Sequence, residues 1–204
     1  MTNRMTRRPL VVVAVRPEAA HLGDLGVDVV LTGIGKVAAA VAVSRAIAER
    51  RPSAVLNVGT AGALRDGLEG VHRIGRVIEH DVDHDALGAL IGERLVGEVV
   101  LDPDEPITLA TGDAFIADAH VRAGLAVRAD LVDMEGYAVA RACEAAGVPC
   151  ELVKVVSDTA SEDAARSWRE EADRTARVIA EVVRGRLGED SSVRPGPSGR
   201  RGRR

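Results

Sequence analysis

Three carboxylates in this chain of 204 residues stand where acid–base chemistry could be done: Glu18, Glu135 and Asp158. Each follows an apolar run that reads as a buried strand. Leu10–Val15 leads into Arg16-Pro17-Glu18, Leu131–Met134 into Glu135, and Cys150–Val156 into Ser157-Asp158. A carboxyl group held at a strand end can donate a proton, accept one, or stabilise a developing positive charge. Other runs end in hydroxyls and glycines: Thr32-Gly33-Ile34-Gly35, Gly59-Thr60-Ala61-Gly62 and Gly112-Asp113-Ala114-Phe115. Glycine lets backbone approach a ligand closely. Together these endings are the pattern of a polar site above an apolar sheet.

Other chemistries lack their residues. No GxSxG is present, so a Ser/His/Asp nucleophile is not indicated. Lys36 lacks the GxxxxGK[ST] spacing of a phosphate-binding loop. Cys143 and Cys150 form no CxxC pair and read as reduced thiols in or near the core. His80-Asp81-Val82-Asp83-His84-Asp85 has metal-ligand residue types. Alternation along a strand puts neighbours on opposite faces, and no second cluster completes a coordination set, so no metal is expected.

The elements that must hold these residues alternate between strand-like and helix-like. Besides the runs above, Val27–Thr32 and Ala54–Val58 read as strands, the latter closed by the glycines at 59 and 62. Arg76–Asp81, Glu98–Leu101 and Ile107–Thr111 read as further strands. Lys36–Arg50 is a helix with Val37, Ala40, Val43 and Ile47 on one face. Asp118–Gly124 is a short helix, and Glu135–Ala146 another, stopped by Gly147 and Pro149. Glu162–Leu187 is a long last helix with Trp168, Ala172, Ile179 and Val183 on or near one side. The expected fold is α/β: one domain with a central twisted sheet, mostly parallel but mixed, flanked by helices. Sites in such folds collect at the carboxyl ends of strands.

Composition narrows the partners. The expected domain is 9–187, between basic ends at 1–8 and 188–204 whose composition builds no core. The chain carries −4 overall and +3 on each end, which leaves the body near −10. An acidic body argues against a nucleic-acid face, and the arginine-rich tail reads as a solvated end. Phe115, Tyr137 and Trp168 are the whole aromatic set, too few for rows of stacked bases. No window approaches the roughly 18–20 apolar residues of a membrane span. Leu10–Val15 is also shorter than the ~7–15 residues of a secretory signal core, so a cytoplasmic protein is expected.

Six segments, in order, carry a resemblance: Ala14-Val-Arg-Pro-Glu18, Thr32-Gly-Ile-Gly-Lys-Val-Ala-Ala-Ala40, Asn57-Val-Gly-Thr-Ala-Gly62, Thr111-Gly-Asp-Ala-Phe-Ile116, Val132-Asp-Met-Glu-Gly136 and Val156-Ser-Asp158. They resemble the nucleoside phosphorylase and nucleosidase superfamily, most nearly the methylthioadenosine/S-adenosylhomocysteine nucleosidases. The resemblance implies a nucleoside phosphorylase-like fold, a purine nucleoside as small-molecule partner, no cofactor and a homodimer. Its chemistry agrees with the residues. Breaking an N-glycosidic bond puts positive charge on the ribose and negative charge on the purine, so the site needs an acid, a base and anionic groups near the sugar.

By resemblance, Asp158 protonates purine N7, a role that burial would favour by keeping the acid protonated. Read without it, Ser157-Asp158 is good helix-capping chemistry. Glu135 binds the ribose hydroxyls; alone it is a favourable anion in a first helical turn. Glu18 holds the attacking water; alone it is an exposed acid after Pro17. Thr32 and Lys154 match positions that help place that water, where the family more often has Ser and Arg. Phe115 stacks on the purine, with a core side chain as its other reading. Ile116 backbone reads the base edge and Met134 lies under the ribose. Gly33, Thr60 and Ser157 complete the binding set.

Water rather than phosphate is the expected attacking group. Phosphorylases of this class commonly have Arg just before the Val-Gly-Thr/Ser turn, where this chain has Asn57. An Asp at 158 suits an adenine-type base. The stretches between Glu18 and Thr32 and between Asp85 and Thr108 are shorter than in the family, which leaves the 5′ substituent open. Futalosine hydrolase and purine nucleoside phosphorylase are the enzymatic alternatives, and a non-catalytic nucleoside-binding protein is the alternative of another class.

Overall fold

Leu10, Val11, Val12 and Val13 are all buried, yet they belong to two different cores. Leu10 and Val12 pack with one cluster, Val11 and Val13 with another, because successive side chains leave a strand on opposite faces. A continuous apolar run is therefore what a strand covered on both sides requires. The computed structural model describes residues 8–160 and 164–190. In chain order its elements are β1 (Leu10–Val13), β2 (Asp28–Leu31), α1 (Lys36–Arg50), β3 (Val55–Ala63), β4 (Val71–Arg73), β5 (Arg76–Glu79) and α2 (His84–Ile91). Then follow β6 (Glu98–Val100), β7 (Thr108–Thr111), α3 (Ala119–Ala126), β8 (Leu131–Asp133), α4 (Gly136–Ala146), β9 (Cys150–Asp158) and α5 (Ala164–Asp190).

The strands form one mixed sheet in the order β2-β1-β3-β8-β7-β5-β6, with β9 alongside β3 and β4 beyond β9. Parallel pairing joins β1 to β2 and β3, β3 to β9, and β7 to β5 and β8. The antiparallel pairs are β3–β8, β4–β9 and β5–β6. This is the mixed α/β sheet expected. β3 is its axis. Its first residues pair with β1, and its last two, Gly62 and Ala63, pair with β8. Helices α1 and α4 cover one face through Val43, Ile47, Val139 and Cys143. Helix α5 covers the other through Ile179 and Val183. No described helix is long and apolar enough to cross a membrane.

Several expectations need correction. The glycines at 59 and 62 do not close a strand; β3 runs through them to Ala63. Glycine is a turn signal by default, but here it clears the face of a strand for side chains arriving from elsewhere. The buried face of α1 is Ala39, Val43, Ala46 and Ile47, while Val37 is 74% exposed. β4 and α2 were not expected. The Asp83 side chain accepts from Ala86 N at 2.9 Å and caps α2, so the segment after Glu79 is a helix entry and not a strand. Helix α5 continues past Gly188 to Asp190. The expected helix start at Glu162, the basic end at 1–7 and the tail from 191 onward lie outside the described residues.

Candidate active site

Glu18 follows β1 in a turn and is only 5% exposed, which removes its reading as a surface acid. Its carboxylate reaches β3. Oε1 accepts from both the backbone N and Oγ1 of Thr60 at 2.8 Å, and Oε2 accepts from Val15 N at 3.3 Å. A Cβ on Gly59 would stand 3.3 Å from Oε1 and 3.7 Å from Lys154 Nζ, so a glycine in this strand keeps the approach open.

Glu135 occupies the N-cap position of α4 without capping it. Asp133 takes that task, its Oδ2 accepting from Gly136 N at 2.9 Å. Glu135 is thereby free to cross to α1, where Oε1 accepts from Gly35 N at 2.8 Å. The positive end of the α1 dipole thus faces a carboxylate. Gly35 sits at φ 93°, where a side chain would be strained. Burial, joined by the nearby Asp133 charge, pushes the Glu135 carboxyl up to about 7, against the opposing pull of the Gly35 N–H.

Lys154 is 2% exposed, and its ammonium donates to Asn57 Oδ1 at 2.8 Å and pairs with Asp133 Oδ2 at 2.9 Å. Asn57 in turn donates Nδ2 to Val12 O at 3.1 Å, which fixes its amide. Burial alone would lower the Lys154 pKa, but Asp133 beside it outweighs that and raises it. Asp133 Oδ1 also accepts from Thr111 Oγ1 at 2.6 Å.

Asp158 ends β9. Oδ2 accepts from Ser157 Oγ and Oδ1 from Ala160 N, each at 2.8 Å. The second bond closes a local turn and not a helix, because Ala160 sits at φ 47°, outside the helical region. Asp158 is half-buried, where fuller burial was expected. Its path to the sheet depends on Gly62, whose Cβ would fall 2.9 Å from Oδ1.

Glu18, Glu135 and Asp158 line one cavity of about 220 Å³ over residues 57–62 of β3 and the carboxyl ends of β8 and β9. Thr60, Lys154 and Ser157 line it as well, together with Phe115, Ile116 and Met134. Phe115 is 51% exposed, which rules out its core reading. Thr32 and Gly33 stand apart from this lining: the Thr32 hydroxyl donates to Gly33 O at 2.7 Å, and the neighbouring Ile34 reaches the cavity instead. Three further residues line the cavity beyond those the sequence singles out: Asp133, beside the more suggestive Glu135; Asn57, which the sequence marks only as not being Arg; and Trp168, which its spacing places on a helix face. Trp168 lines the cavity and donates Nε1 to Thr60 Oγ1 at 3.1 Å. Nothing in the sequence marks Trp168 as facing the site, since its partner Thr60 is 108 positions away.

Lys36 also gains a place. Its ammonium bonds Glu79 and Asp81 at 2.6 Å, and its backbone N donates to Asp113 Oδ1 at 2.7 Å. The His80–Asp85 acids and imidazoles are therefore partly spent on anchoring the start of α1 and on packing, as with His84 Nε2 and Glu79 Oε2 at 3.0 Å.

The chain matches the family model described as "Phosphorylase superfamily" over residues 9–108 and 105–185. A 5′-methylthioadenosine/S-adenosylhomocysteine nucleosidase from Actinobacillus succinogenes is 31% identical over 195 residues, spanning 80% of this chain and 82% of the relative. Among solved structures, a Helicobacter pylori 5′-methylthioadenosine/S-adenosylhomocysteine nucleosidase with butyl-thio-DADMe-Immucillin-A superposes with a TM-score of 0.81 at 22% identity, covering 91% of this chain and 100% of its own. The futalosine hydrolase of Helicobacter pylori superposes with a TM-score of 0.82 at 22% identity, covering 92% and 100%. At that identity the two superpositions show a shared fold.

Proposed function

Because the chain belongs to the phosphorylase superfamily, we propose that it is a purine nucleosidase that hydrolyses the N-glycosidic bond of an adenine-type nucleoside, such as 5′-methylthioadenosine or S-adenosylhomocysteine. The observation that carries this reading is the convergence of Glu18, Glu135 and Asp158 on one cavity from positions 18, 135 and 158 of the chain. The sequence likeness to 5′-methylthioadenosine/S-adenosylhomocysteine nucleosidases supports the same substrate class.

In this reading the C1′–N9 electron pair leaves with the purine, and Asp158 delivers a proton to N7 so that the base departs neutral. Ionised Glu135 accepts from the ribose hydroxyls and favours the cationic sugar. Glu18 takes a proton from water as it bonds to C1′. Lys154 places a buried positive charge beside Glu18 and Asp133, and Phe115 and Met134 supply apolar surface to base and sugar. Water suits this cavity better than phosphate does. A phosphate dianion calls for free cationic donors, whereas the Lys154 charge is already matched by Asp133.

The catalytic unit is residues 9–187 of a cytoplasmic protein, and the basic ends take no part in turnover. A homodimer is supported by the exposed apolar side chains of Ile34, Val37 and Val41 on and before α1.

The test is incubation with 5′-methylthioadenosine, S-adenosylhomocysteine and futalosine, with chromatography of the freed base. Release without phosphate is the expected result. Release that requires phosphate makes the protein a phosphorylase, and release from futalosine alone makes it a futalosine hydrolase. Binding without release refutes the enzymatic reading.

A further inference from the structure

Trp168 is the only tryptophan of the chain, and its indole is used in a way that pure packing does not require. It lies on α5, 108 residues from Thr60, and donates Nε1–H to Thr60 Oγ1 at 3.1 Å. Thr60 Oγ1 lies 2.8 Å from Glu18 Oε1. An indole nitrogen can only donate, and a carboxylate can only accept. The polarity of the chain is therefore forced: indole to hydroxyl, hydroxyl to carboxylate. With one lone pair of Oγ1 occupied by the indole, the single hydroxyl proton is committed to Glu18.

The two oxygens of Glu18 then differ. Oε1 accepts two bonds of 2.8 Å, from Thr60 N and Thr60 Oγ1. Oε2 accepts one longer bond, 3.3 Å from Val15 N, its only hydrogen-bond partner among the described residues. A doubly satisfied oxygen is a poor place for another proton, and the under-satisfied one is a better place.

We propose that Trp168 is a positioning residue for water attack: through Thr60 it holds Glu18 by Oε1 and keeps Oε2 as the oxygen that receives the water proton. This rests on the nucleosidase reading above. It gives α5 a part in the chemistry beyond covering the sheet, because the base is fully oriented only when this last helix is docked. The aromatic ring of Trp168 also lines the cavity, so the ring and the N–H are separable contributions.

W168F keeps a ring and removes the donor. With 5′-methylthioadenosine, or whichever of the three nucleosides turns over, kcat should fall about tenfold, the size of one lost hydrogen bond, while KM stays within about twofold. T60V breaks the same relay from its centre and should lose at least as much, and T60S should restore most of that loss. The double variant W168F/T60V should be no slower than T60V, because both changes cut one chain of bonds. T60V should also shift the fluorescence emission of the ligand-free protein, since the indole loses its acceptor. Wild-type kcat in W168F, losses that multiply in the double variant, or an emission unmoved by T60V overturns the proposal and leaves the nucleosidase reading standing. A wild-type protein that frees no base overturns that reading itself. Thermal unfolding of each variant separates lost chemistry from lost fold.

Discussion

The Lys154 ammonium and the Asp133 carboxylate meet at 2.9 Å, with side chains only 3% and 2% exposed. The pair joins β9 to β8 under the cavity, and the same Asp133 oxygen caps α4 just after Glu135. Removing one partner would leave an uncompensated buried charge. D133N should therefore lower unfolding stability by about 3–5 kcal/mol, measured by urea denaturation at pH 7. A lysine whose folded pKa is raised stabilises fully below its unfolded value of 10.5 and loses that contribution as pH rises through the folded value. In the wild type the Lys154 contribution should thus hold through about pH 9 and be lost only as pH rises beyond the unfolded value of 10.5. An unchanged urea midpoint would show that the pair contributes nothing.

Glu135 acts in the opposite direction. Its folded carboxyl titrates near 7 against 4.5 for the ordinary group, so between these values the folded state holds the extra proton. Stability then falls as pH rises from 4.5 to 7 and levels off above, where both states are ionised. E135Q removes the penalty and still offers Gly35 N an acceptor. Its melting temperature should exceed wild type increasingly over that window while its turnover collapses. In the wild type, kcat/KM should climb through about 7 from the acid side, as the ionised form becomes available to the cationic sugar. A pH-independent difference in melting temperature would place the Glu135 titration elsewhere.

In the proposed mechanism Asp158 serves the leaving group alone, so its loss should depend on what leaves. D158N should slow release of adenine by about 10²–10⁴-fold, the usual scale of general acid catalysis. With p-nitrophenyl riboside, whose leaving group departs without a proton, D158N and wild type should react at similar rates. Equal losses on both substrates would mean that Asp158 supports structure and not proton transfer.

Gly62 and Gly67 make a controlled pair. A Cβ on Gly62 meets Asp158 Oδ1 at 2.9 Å, Ala160 Cβ at 3.1 Å and Val132 Cγ1 at 3.3 Å. Gly67 has φ +76° but open space around it. G62A should displace Asp158 and depress kcat, with overpacking of about 1–3 kcal/mol. G67A should cost stability through its backbone and spare kcat. The reverse pattern in steady-state kinetics would contradict the role given to the β3 face.

Lys36 anchors the chain turn that presents Gly35 N to Glu135. K36M leaves Glu79 and Asp81 without their cation, and the turn should loosen. KM is expected to rise several-fold more than kcat falls, which initial-rate kinetics would resolve. Burial works against the charge on Lys36, but its bonds to Asp81 and Glu79 outweigh it and raise its pKa. Its anchoring should therefore persist through the physiological range and fail only in strong alkali.

The sheet and its principal helices were legible in the chain because local periodicity reports burial. The alternation of Leu10–Val13 between two cores, and the limits of α1 at Lys36 and Arg50, follow from patterns within a few residues. β4 was not legible, since three residues have no period to read. Helix α2 hid behind the His/Asp run that begins it. Gly59 and Gly62 read as a turn in the sequence and lie inside β3 in the structure, because glycine signals a turn wherever nothing else is known about its surroundings.

Sequence by itself identified the acids and the strand ends that carry them, for residue type and local pattern are properties of neighbours in the chain. Only the tertiary structure decided which groups those acids meet. Glu18 meets Thr60 across 42 positions, Glu135 meets Gly35 across 100, and Thr60 meets Trp168 across 108. The basicity and orientation of a carboxylate are set by groups within a few ångströms of it, and in a folded sheet those groups are brought close by strand order and not by chain order.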